Sequence, residues 1–502
     1  MSFETMLAAA SARPADRQLL AELAKESLEA GKEERALPLL ARATGDQADA
    51  RLWQWKGLLE RALDMHEAAL VSFGEAARLA PGDPSIAHGY ARVALEAGVD
   101  AEALYEHALR LAPRDGQLVV GLAAARLGAG HGEKAVSELE SILDRSPLWI
   151  EGHMQLAQLR AMLGRKDEAG KSIRRALARY PRDAGLWQGL LDLALKQEDY
   201  AALEPLVAEA RQSAAQMIAG YAFIAASELG RSDAEVLHDV ATRSGADLPV
   251  WRVRQLIRSG RLDEAGELID REIEAGRGDS IWPYAAIAWR SLGDARSEWL
   301  ERGNAAISVT PLLTPPECSE LATSLRALHV ARGEYLDQSV RGGTQTDGPL
   351  LSRIDPVIRY LREKIVAAVE TYASRLPAID SAHPTLRHPR DRRVRFAGSW
   401  SVRLKGRGFH AAHVHPQGWI SSALYVALPD TTRDAPHAGW LALGGAPDDL
   451  GIDLPPISHV EPKLGQLILF PSWMWHRTAP YEAGERLTVA FDVAPPVGGP
   501  SN

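Results

Sequence analysis

The chain has 502 residues, of which 46% are hydrophobic and 25% charged, an ordinary globular composition with room for two or three domains. Its net charge of −9 and pI near 6.0 argue against a nucleic-acid-binding protein, which normally carries a basic surface. No apolar run is long enough for a membrane span, and the N-terminus does not resemble a signal peptide. The single cysteine, Cys318, excludes an intrachain disulfide; we expect it to be a small buried residue of a cytoplasmic protein.

Residues 17–309 carry a repeated pattern, whereas residues 1–16 are expected to be an N-terminal tail. Four prolines are separated by 32, 34 and 34 residues: Pro81, Pro113, Pro147 and Pro181. Turn-like positions recur every 30 to 34 residues: Gly31, Asp64, Gly98, Gly130, Gly164, Glu198, Gly230, Gly260 and Gly293. This spacing resembles the 34-residue helix–turn–helix unit of tetratricopeptide repeats, in which glycine turns each hairpin and proline ends it.

The resemblance implies about nine hairpins stacked into a right-handed solenoid. The concave face of such a solenoid can hold an extended segment of another chain, so we expect a peptide or protein partner there. The alternative, that the array serves dimerisation or localisation, stays open, as does the oligomeric state.

Prolines interrupt the helical period near residues 308–316, and a linker with flanking helices is expected over residues 310–395. One helix is predicted over residues 317–332. A second is predicted over residues 351–375, where apolar residues form one stripe: Ile354, Ile358, Leu361, Ile365 and Val369. Between the helices lies a polar, glycine-rich loop around Arg341. This arginine either lines a substrate mouth and holds an acidic group or is a solvated surface residue.

From Phe396 the hydrophobic period changes to that of strands. Short strands are predicted at residues 399–404, 423–428, 440–443, 466–470 and 487–493, separated by turns rich in Gly, Pro and Asp. Such strands are typical of an antiparallel barrel. The chain is therefore expected to be multidomain α + β, with an all-α solenoid followed by a jelly-roll-like double-stranded β-helix with flanking helices. The barrel core is expected to span residues 396–496, and residues 497–502 form a C-terminal tail.

Three histidines of the predicted barrel are candidate metal ligands. His413 and His415 are two residues apart, and on a strand this places both side chains on one face, about 7 Å apart. His476 follows the apolar run at residues 467–471 and comes from a different strand or its end. Imidazole binds divalent first-row metals, and three protein ligands leave positions open for substrate or oxygen. Arg486 lies ten residues further on, on a strand face shared with Thr488 and Ala490, and can bind a small dicarboxylic acid bidentately.

These residues lie in blocks that resemble the 2-oxoglutarate/Fe(II)-dependent dioxygenases, and most closely the bacterial and phage members. The blocks are His-x-His-Pro-x-Gly at residues 413–418, Ser-x-x-x-Tyr-Val at residues 421–426 and Phe-Pro-Ser-Trp at residues 470–473. The resemblance covers residues 315 to 496. Most members carry a carboxylate where His415 stands. Either His415 is a ligand, or two histidines bind the metal with water or a distant acid.

The resemblance implies that His413, His415 and His476 hold Fe(II), that 2-oxoglutarate and O2 are cosubstrates, and that a peptide or protein side chain is hydroxylated. Arg486 would bind the far carboxylate of 2-oxoglutarate. No catalytic residue beyond the metal centre is expected. Further candidates are Tyr425, Ser422 and Arg403 for the cosubstrate, and Arg341 and Trp419 for the substrate.

Two other functions remain open: a three-histidine zinc hydrolase, and a tetratricopeptide adaptor whose barrel is catalytically inactive. The remaining barrel histidines are expected to be non-ligands. His410 stands three residues before His413, which would turn it to the opposite face of a strand. The histidines in proline-rich loops are expected to be solvated: His383, His388, His437 and His459.

Overall fold

The computed structural model describes the chain in six stretches: residues 2–46, 49–211, 215–302, 306–336, 338–430 and 435–496. The predicted C-terminal tail at residues 497–502 lies outside them. The N-terminal part contains the helices α1 Phe3–Ala12, α2 Arg17–Ala30, α3 Glu33–Asp46, α4 Ala50–Ala62, α5 His66–Leu79, α6 Pro84–Glu96, α7 Glu102–Leu111, α8 Gly116–Gly128, α9 Gly132–Arg145, α10 Ile150–Met162, α11 Lys171–Arg179, α12 Ala184–Lys196, α13 Tyr200–Ala210, α14 Ala215–Glu228, α15 Ala234–Arg243, α16 Pro249–Arg258, α17 Leu262–Glu274, α18 Trp282–Leu292 and α19 Arg296–Glu301. A 3-10 turn, Lys166–Glu168, precedes α11.

These helices form the predicted tetratricopeptide solenoid, and the sequence shows why each repeat starts where it does. Aspartates cap the first helix of several repeats: Asp16, Asp49, Asp83, Asp115 and Asp183. Each of these carboxylates accepts a hydrogen bond from a free backbone N–H of the first helical turn, which stabilises a helix by about 1 kcal/mol.

The turn inside each of several helix pairs requires a left-handed residue. Glycine supplies it in most of them, as at Gly31 and Gly98, with φ of 64° and 74°. Asp64 and Glu198 take the same conformation without being glycine, with φ of 57° and 55°. The turn positions predicted from the repeat spacing are therefore confirmed.

Residues 1–16, expected to be a tail, contain helix α1. The side chains of Phe3, Met6 and Ala10 are buried in the same core as Leu20. A first repeat has an apolar face with no preceding repeat to cover it, and α1 covers that face. Because α1 is not part of a repeat, the 34-residue period did not reveal it.

The C-terminal part contains the strands β1 Ser308–Pro311, β2 Val340–Gln345, β3 Phe396–His410, β4 Ile420–Ala427, β5 Leu441–Leu443, β6 Ser458–Val460, β7 Gln466–Pro471, β8 His476–Thr478 and β9 Glu485–Val493. Its helices are α20 Pro315–Leu328 and α21 Pro356–Arg375, with 3-10 turns at Leu350–Ser352 and Asp448–Leu450. The strands form two antiparallel sheets, with strand orders β1-β7-β4-β9-β3-β2 and β6-β5-β8. This is the predicted jelly-roll-like architecture.

The edge strands of both sheets were not predicted: β1 and β2 of the larger sheet and β6 and β8 of the smaller one. Strand β1 lies in the proline-rich segment and ends at Pro311, which is tolerated because β1 is at the edge of the sheet. Strand β2 replaces the expected loop around Arg341. A Cβ at Gly343 would lie only 2.6 Å from the carbonyl oxygen of Arg403 on β3, so glycine permits this pairing instead of preventing it.

Helix α21 covers one sheet with the predicted apolar stripe. The stripe residues Ile358, Leu361, Ile365 and Val369 are buried in one core with apolar side chains of β4, β7 and β9. Ile354 is an exception, because it precedes α21 and donates its N–H to the carbonyl oxygen of Ala97 in the solenoid (3.0 Å). Cys318 of α20 is buried in the same core, as predicted. None of the described helices combines the length and apolarity needed to cross a bilayer.

The solenoid docks on the C-terminal part through the turns inside its helix pairs. Contacts from successive turns are Arg395 with Glu33, Arg362 with Asp64 (2.9 Å), Ile354 N–H with Ala97 O (3.0 Å), Arg332 N–H with Met162 O (2.7 Å) and Arg341 with Glu198 (2.7 Å). Further along, the Trp475 indole donates to Pro283 O (3.0 Å) and Arg290 donates to Gly444 O (2.6 Å). One edge of the solenoid is therefore bound to the barrel over most of its length.

His383 belongs to this junction and is buried, so the expectation that it is solvated is wrong. Its Nε2 donates to the carbonyl oxygen of Leu300 (3.0 Å), and its Nδ1 accepts from the backbone N–H groups of Thr385 (3.0 Å) and Leu386 (3.2 Å). These bonds require a neutral ring with the proton on Nε2. Burial lowers the pKa of His383 from 6.5 to about 4.

The depressed pKa of His383 predicts loss of stability in mild acid. Between pH 6.5 and 4 the unfolded chain binds a proton that the folded chain does not, so stability is complete above pH 6.5 and falls as the pH decreases towards 4, by at most about 3 kcal/mol. We expect His383→Asn, which does not titrate, to be less stable at neutral pH but to lose less stability in acid. Urea unfolding at several pH values measures this, and His107→Asn, at a half-exposed position of the solenoid, should follow the wild type. A wild-type pH slope in His383→Asn would contradict the assignment.

Candidate metal centre and cosubstrate cavity

His413, His415 and His476 converge at one point inside the barrel. One ring nitrogen of each lies within 4.8 Å of the others, and no other such group of potential ligands occurs among the described residues. His413 follows the end of β3 and is not part of a regular strand; it forms an isolated antiparallel bridge with His476, which starts β8. Each of these two residues donates its N–H to the other's carbonyl oxygen at 3.0 Å. The imidazole rings are therefore brought together by this bridge, and not by a regular strand carrying both His413 and His415, as was predicted.

The hydrogen bonds of the three rings fix their tautomers. Each Nδ1 faces an acceptor, which is Ala411 O for His413 (2.8 Å), Met474 O for His476 (3.0 Å) and the Asp492 carboxylate for His415. Each Nδ1 therefore carries the proton, and the Nε2 lone pairs remain for a metal. This donor set fits a divalent first-row metal ion.

Burial and mutual repulsion keep the rings of His413 and His476 uncharged. The pKa values of His413 and His476 lie well below 6.5, first because both are buried and then because neighbouring imidazoles oppose a positive charge. Neutral imidazole is the form that binds a metal. The hydroxyl of Ser339 lies 3.1 Å from His413 Nε2 and donates to it, so this bond must break when a metal binds.

Arg486 lies in the same cavity and is 3% exposed. One Nη donates to Gly439 O (2.6 Å), the other lies 3.4 Å from the Tyr425 hydroxyl, and Nε has no hydrogen-bond partner among the described residues. Within the described part of the chain, no carboxylate pairs with this guanidinium. Burial lowers the pKa of Arg486 and raises that of Tyr425. A buried cation without a counter-ion is costly, and an anionic ligand would satisfy it.

A second phenol lies near this guanidinium. Burial raises the pKa of Tyr481, and the positive charge of Arg486 opposes that effect. Tyr481 was not predicted as a site residue, because it stands in a Pro-Tyr-Glu-Ala-Gly turn outside every recognised block. The tertiary structure alone places it there.

Asp492 links the sequence blocks to the metal cluster. Its carboxylate accepts from His415 Nδ1 and from Ser421 Oγ (2.6 Å), and the hydroxyl oxygens of Ser421 and Ser472 lie 2.9 Å apart, within hydrogen-bond distance. The backbone N–H of His415 donates to Ser472 O (2.9 Å). Such an outer carboxylate orients a ligand ring and makes it a stronger donor. Asp492 was not predicted as a site residue, although it lies on the same face of β9 as Arg486, Thr488 and Ala490, and this alternation could have revealed it.

The glycine of the His-x-His-Pro-x-Gly block has a packing role. A Cβ at Gly418 would lie 2.6 Å from Ser472 Oγ and 3.4 Å from Asp492 Cβ. Only glycine therefore lets this turn approach the serine and the aspartate that position His415.

Gly418→Ala is expected to displace Ser472 and Asp492, destabilising the protein by about 1–3 kcal/mol and weakening metal binding about 10-fold. Thermal unfolding and metal titration measure the two effects. Gly128→Ala is the matched control, since nothing lies within 4 Å of a Cβ at that helical position. If both variants behave alike, the packing role is wrong.

Three further predicted site residues are Ser422, Arg403 and Trp419, and of these only Ser422 lines the cavity. The Ser422 hydroxyl, however, bonds the backbone of Phe491 (2.8 and 2.9 Å). Arg403 points to the face of β3 away from the cavity, where it pairs with Glu485 (2.6 Å). The prediction that Arg403 reaches the cavity is therefore wrong. Trp419 is also misassigned, because its ring is buried in the helix-covered core and its Nε1 donates to Thr385 O (2.8 Å).

Two other histidines, His388 and His410, are half-buried, and His388 is therefore less solvated than expected. The His410 ring stacks on that of His413, with centroids 5.9 Å apart. The chain leaves the strand conformation after His410, so the alternation that should turn it away does not continue. Burial lowers the pKa of His388 to about 4. His437 and His459 are exposed, as expected, and their rings stack on each other with centroids 4.6 Å apart.

Outside the metal cluster the cavity of about 50 Å³ opens into a cleft of about 570 Å³. His413, His415 and Asp492 line both spaces. Arg341 lines the cleft, where it pairs with Glu198 of the solenoid. The three imidazoles can therefore be reached from the cleft, with Arg486 on the cavity side.

Solved structures to which the chain is similar include tetratricopeptide proteins and one hydroxylase. They are "YrrB: a TPR protein with an unusual peptide-binding site" (16% identity, 37% of this chain, 97% of that chain, TM-score 0.29), a tetratricopeptide repeat protein from Parabacteroides merdae (17%, 48%, 90%, 0.32) and a prolyl-4-hydroxylase from Pseudomonas putida (18%, 38%, 92%, 0.26). No curated protein matches the chain.

A family model does match the C-terminal part of the chain. Its description is "Putative 2OG-Fe(II) oxygenase", and the match spans residues 398–492. This stretch contains the three converging histidines, Arg486 and Asp492. Over these residues, the chain is similar to the 2OG-Fe(II) oxygenases.

Proposed function

We propose that the chain is an Fe(II)- and 2-oxoglutarate-dependent dioxygenase that hydroxylates a side chain of a peptide or protein. The observation that carries the proposal is the pairing of two features in one cavity. Three imidazoles converge with each Nδ1 facing an acceptor and each Nε2 left for a metal, and a buried guanidinium beside them has no carboxylate partner in the described part of the chain.

The residues present would divide the work. His413, His415 and His476 would hold the iron, and Asp492 would keep the His415 ring in its ligand orientation. Arg486 would bind the far carboxylate of 2-oxoglutarate, with the Tyr425 hydroxyl next to it. When bound, Fe(II) and 2-oxoglutarate supply an oxidative decarboxylation that activates O2 and yields succinate and carbon dioxide. The buried walls exclude water from that chemistry.

A polypeptide substrate is supported by the architecture. A tetratricopeptide array is a surface for extended segments of other chains, and here its turns border the cleft that leads to the imidazoles. A free amino acid would not need such a surface. A cytoplasmic location, suggested by the single unpaired Cys318, remains a prediction from the sequence.

The test is succinate formation by the full chain. We expect purified protein to convert 2-oxoglutarate slowly to succinate with Fe(II) and O2, and N-oxalylglycine, an analogue of the cosubstrate, to inhibit the reaction. Zn(II) should bind without supporting it. Metal binding without succinate formation would favour the zinc hydrolase, and a chain that binds neither metal nor 2-oxoglutarate would be an adaptor.

A further inference from the structure

Ser339 brings a hydroxyl group from a distant part of the chain onto the metal-facing nitrogen of His413. His413 Nδ1 donates to Ala411 O (2.8 Å), so its Nε2 is an acceptor, and Ser339 Oγ, 3.1 Å away, donates to it. The one hydroxyl proton is then in use, and Ser339 Oγ accepts from Nδ1 of His410 (3.2 Å). A chain of two hydrogen bonds therefore ends on the nitrogen that a metal ion needs.

The backbone around Ser339 keeps the hydroxyl in this position. The carbonyl oxygen of Ser339 accepts from the Ala411 N–H (2.9 Å), and β2 begins at the next residue. The pairing of β2 with β3 shifts register between Arg341 and Gly343, and Gly342 between them has a φ of 73°. Such a bulge bends a strand and commonly redirects a side chain next to a functional site. Here Ser339 lines both the metal cavity and the cleft outside it.

The same segment is attached to the solenoid through Arg341. One nitrogen of this guanidinium donates to two carbonyl oxygens on either side of Ser339, those of Gln338 (2.5 Å) and Val340 (3.1 Å). Another nitrogen donates to the carboxylate of Glu198 (2.7 Å). Glu198 is the left-handed residue of the turn between α12 and α13. Because one side chain makes all these bonds, the position of Ser339 is coupled to that of the solenoid turn.

We propose that residues 338–342 form an autoinhibitory strap. The ion pair of Arg341 with Glu198 holds the strap so that the Ser339 hydroxyl stays on His413 Nε2, and a metal ion has to displace this hydrogen bond. Metal loading is thereby coupled to the contact between solenoid and barrel. The proposal names a regulation of the proposed site and rests on the proposed function for the assignment of His413 as a ligand.

The test is the affinity of the full chain for Zn(II), a redox-inert ion that imidazoles bind, measured by competition with a chelating dye. Ser339→Ala should bind Zn(II) about 2- to 10-fold more tightly than the wild type, because one hydrogen bond no longer opposes binding. A gain of affinity cannot result from misfolding. His476→Ala, measured in parallel, identifies the part of the signal that comes from the cluster.

Ser401→Ala is the matched control for Ser339→Ala. The Ser401 hydroxyl also bonds a histidine of the C-terminal part, Nε2 of His329 (3.1 Å), but this histidine is not one of the three converging ligands. Its removal should leave the affinity for Zn(II) unchanged.

A double-mutant cycle tests the coupling to the solenoid. Arg341→Met releases the strap from Glu198 and should tighten Zn(II) binding about 2- to 5-fold in the wild-type background, with no further change in Ser339→Ala. A general loosening of the fold would act equally in both backgrounds. Arg362→Met is the control, because it removes another ion pair between the two halves, that of α21 with Asp64 (2.9 Å), and should not change the affinity.

Unchanged or weaker Zn(II) binding in Ser339→Ala would overturn the proposal, and so would an equal effect, or no effect, of Arg341→Met in the two backgrounds. Succinate formation by the wild type with Fe(II) separates this proposal from the proposed function. If succinate forms but Ser339→Ala does not bind Zn(II) more tightly, the strap fails and the proposed function stands. If Ser339→Ala binds as expected but no succinate forms, the proposed function fails instead.

Discussion

Replacing His476 with alanine is expected to abolish metal binding at the cluster and all succinate formation. The ring supplies one of three converging nitrogens, and the other two cannot enclose the ion without it. Losing an outer partner of a ligand commonly lowers metal affinity 10- to 100-fold, so loss of a ligand itself should lower it by at least about 100-fold. Isothermal titration with Fe(II) under anaerobic conditions measures the affinity directly.

The control for this prediction is a histidine of the same barrel that is not a ligand. His459→Ala removes an imidazole that stacks on His437, and it should leave metal affinity and turnover unchanged. The thermal midpoint of metal-free His476→Ala must remain close to that of the wild type. Normal Fe(II) affinity in a folded His476→Ala protein would remove this histidine from the ligand set.

Replacing Arg486 with methionine is expected to raise the KM for 2-oxoglutarate about 100-fold while Fe(II) binding persists. A hydrogen bond to a charged group contributes about 1.5–3 kcal/mol, which corresponds to a 10- to 100-fold change in affinity. The stability of the variant should be equal or higher, because a buried guanidinium with an unpaired Nε is replaced by an apolar side chain of similar length. Succinate formation as a function of 2-oxoglutarate concentration gives the KM.

Arg403→Met is the matched control for Arg486→Met. Arg403 is on the neighbouring strand, and it pairs with Glu485 on the face away from the cavity. Its loss should leave the KM for 2-oxoglutarate unchanged. Equal KM values in the two variants would show that Arg486 does not bind the cosubstrate.

The sequence predicted the features that depend on residues close to one another along the chain. The 34-residue period located the hairpin turns, including Asp64 and Glu198, since a turn is encoded by the residues that form it. The same holds for the apolar stripe of α21 and for the alternation on β9 that placed Arg486 on the cavity face. Histidine spacing selected the three residues that converge, although the strand geometry assumed for His413 and His415 was wrong.

Contacts between distant segments could not be predicted in this way. Arg403 and Trp419 were assigned to the site because they lie close to the site blocks in sequence. Closeness in sequence does not show on which face of a sheet a side chain lies, and both side chains point away from the cavity. The docking of the solenoid turns, the positions of Tyr481 and Ser339, and the cleft between Lys166 and Gln417 all depend on residues far apart in the chain. The sequence by itself determined most of the helices, the central strands and the types of ligand, through local periodicity and side-chain chemistry. Only the tertiary structure decided how the two halves enclose one site, because that is set by complementary surfaces which no single segment contains.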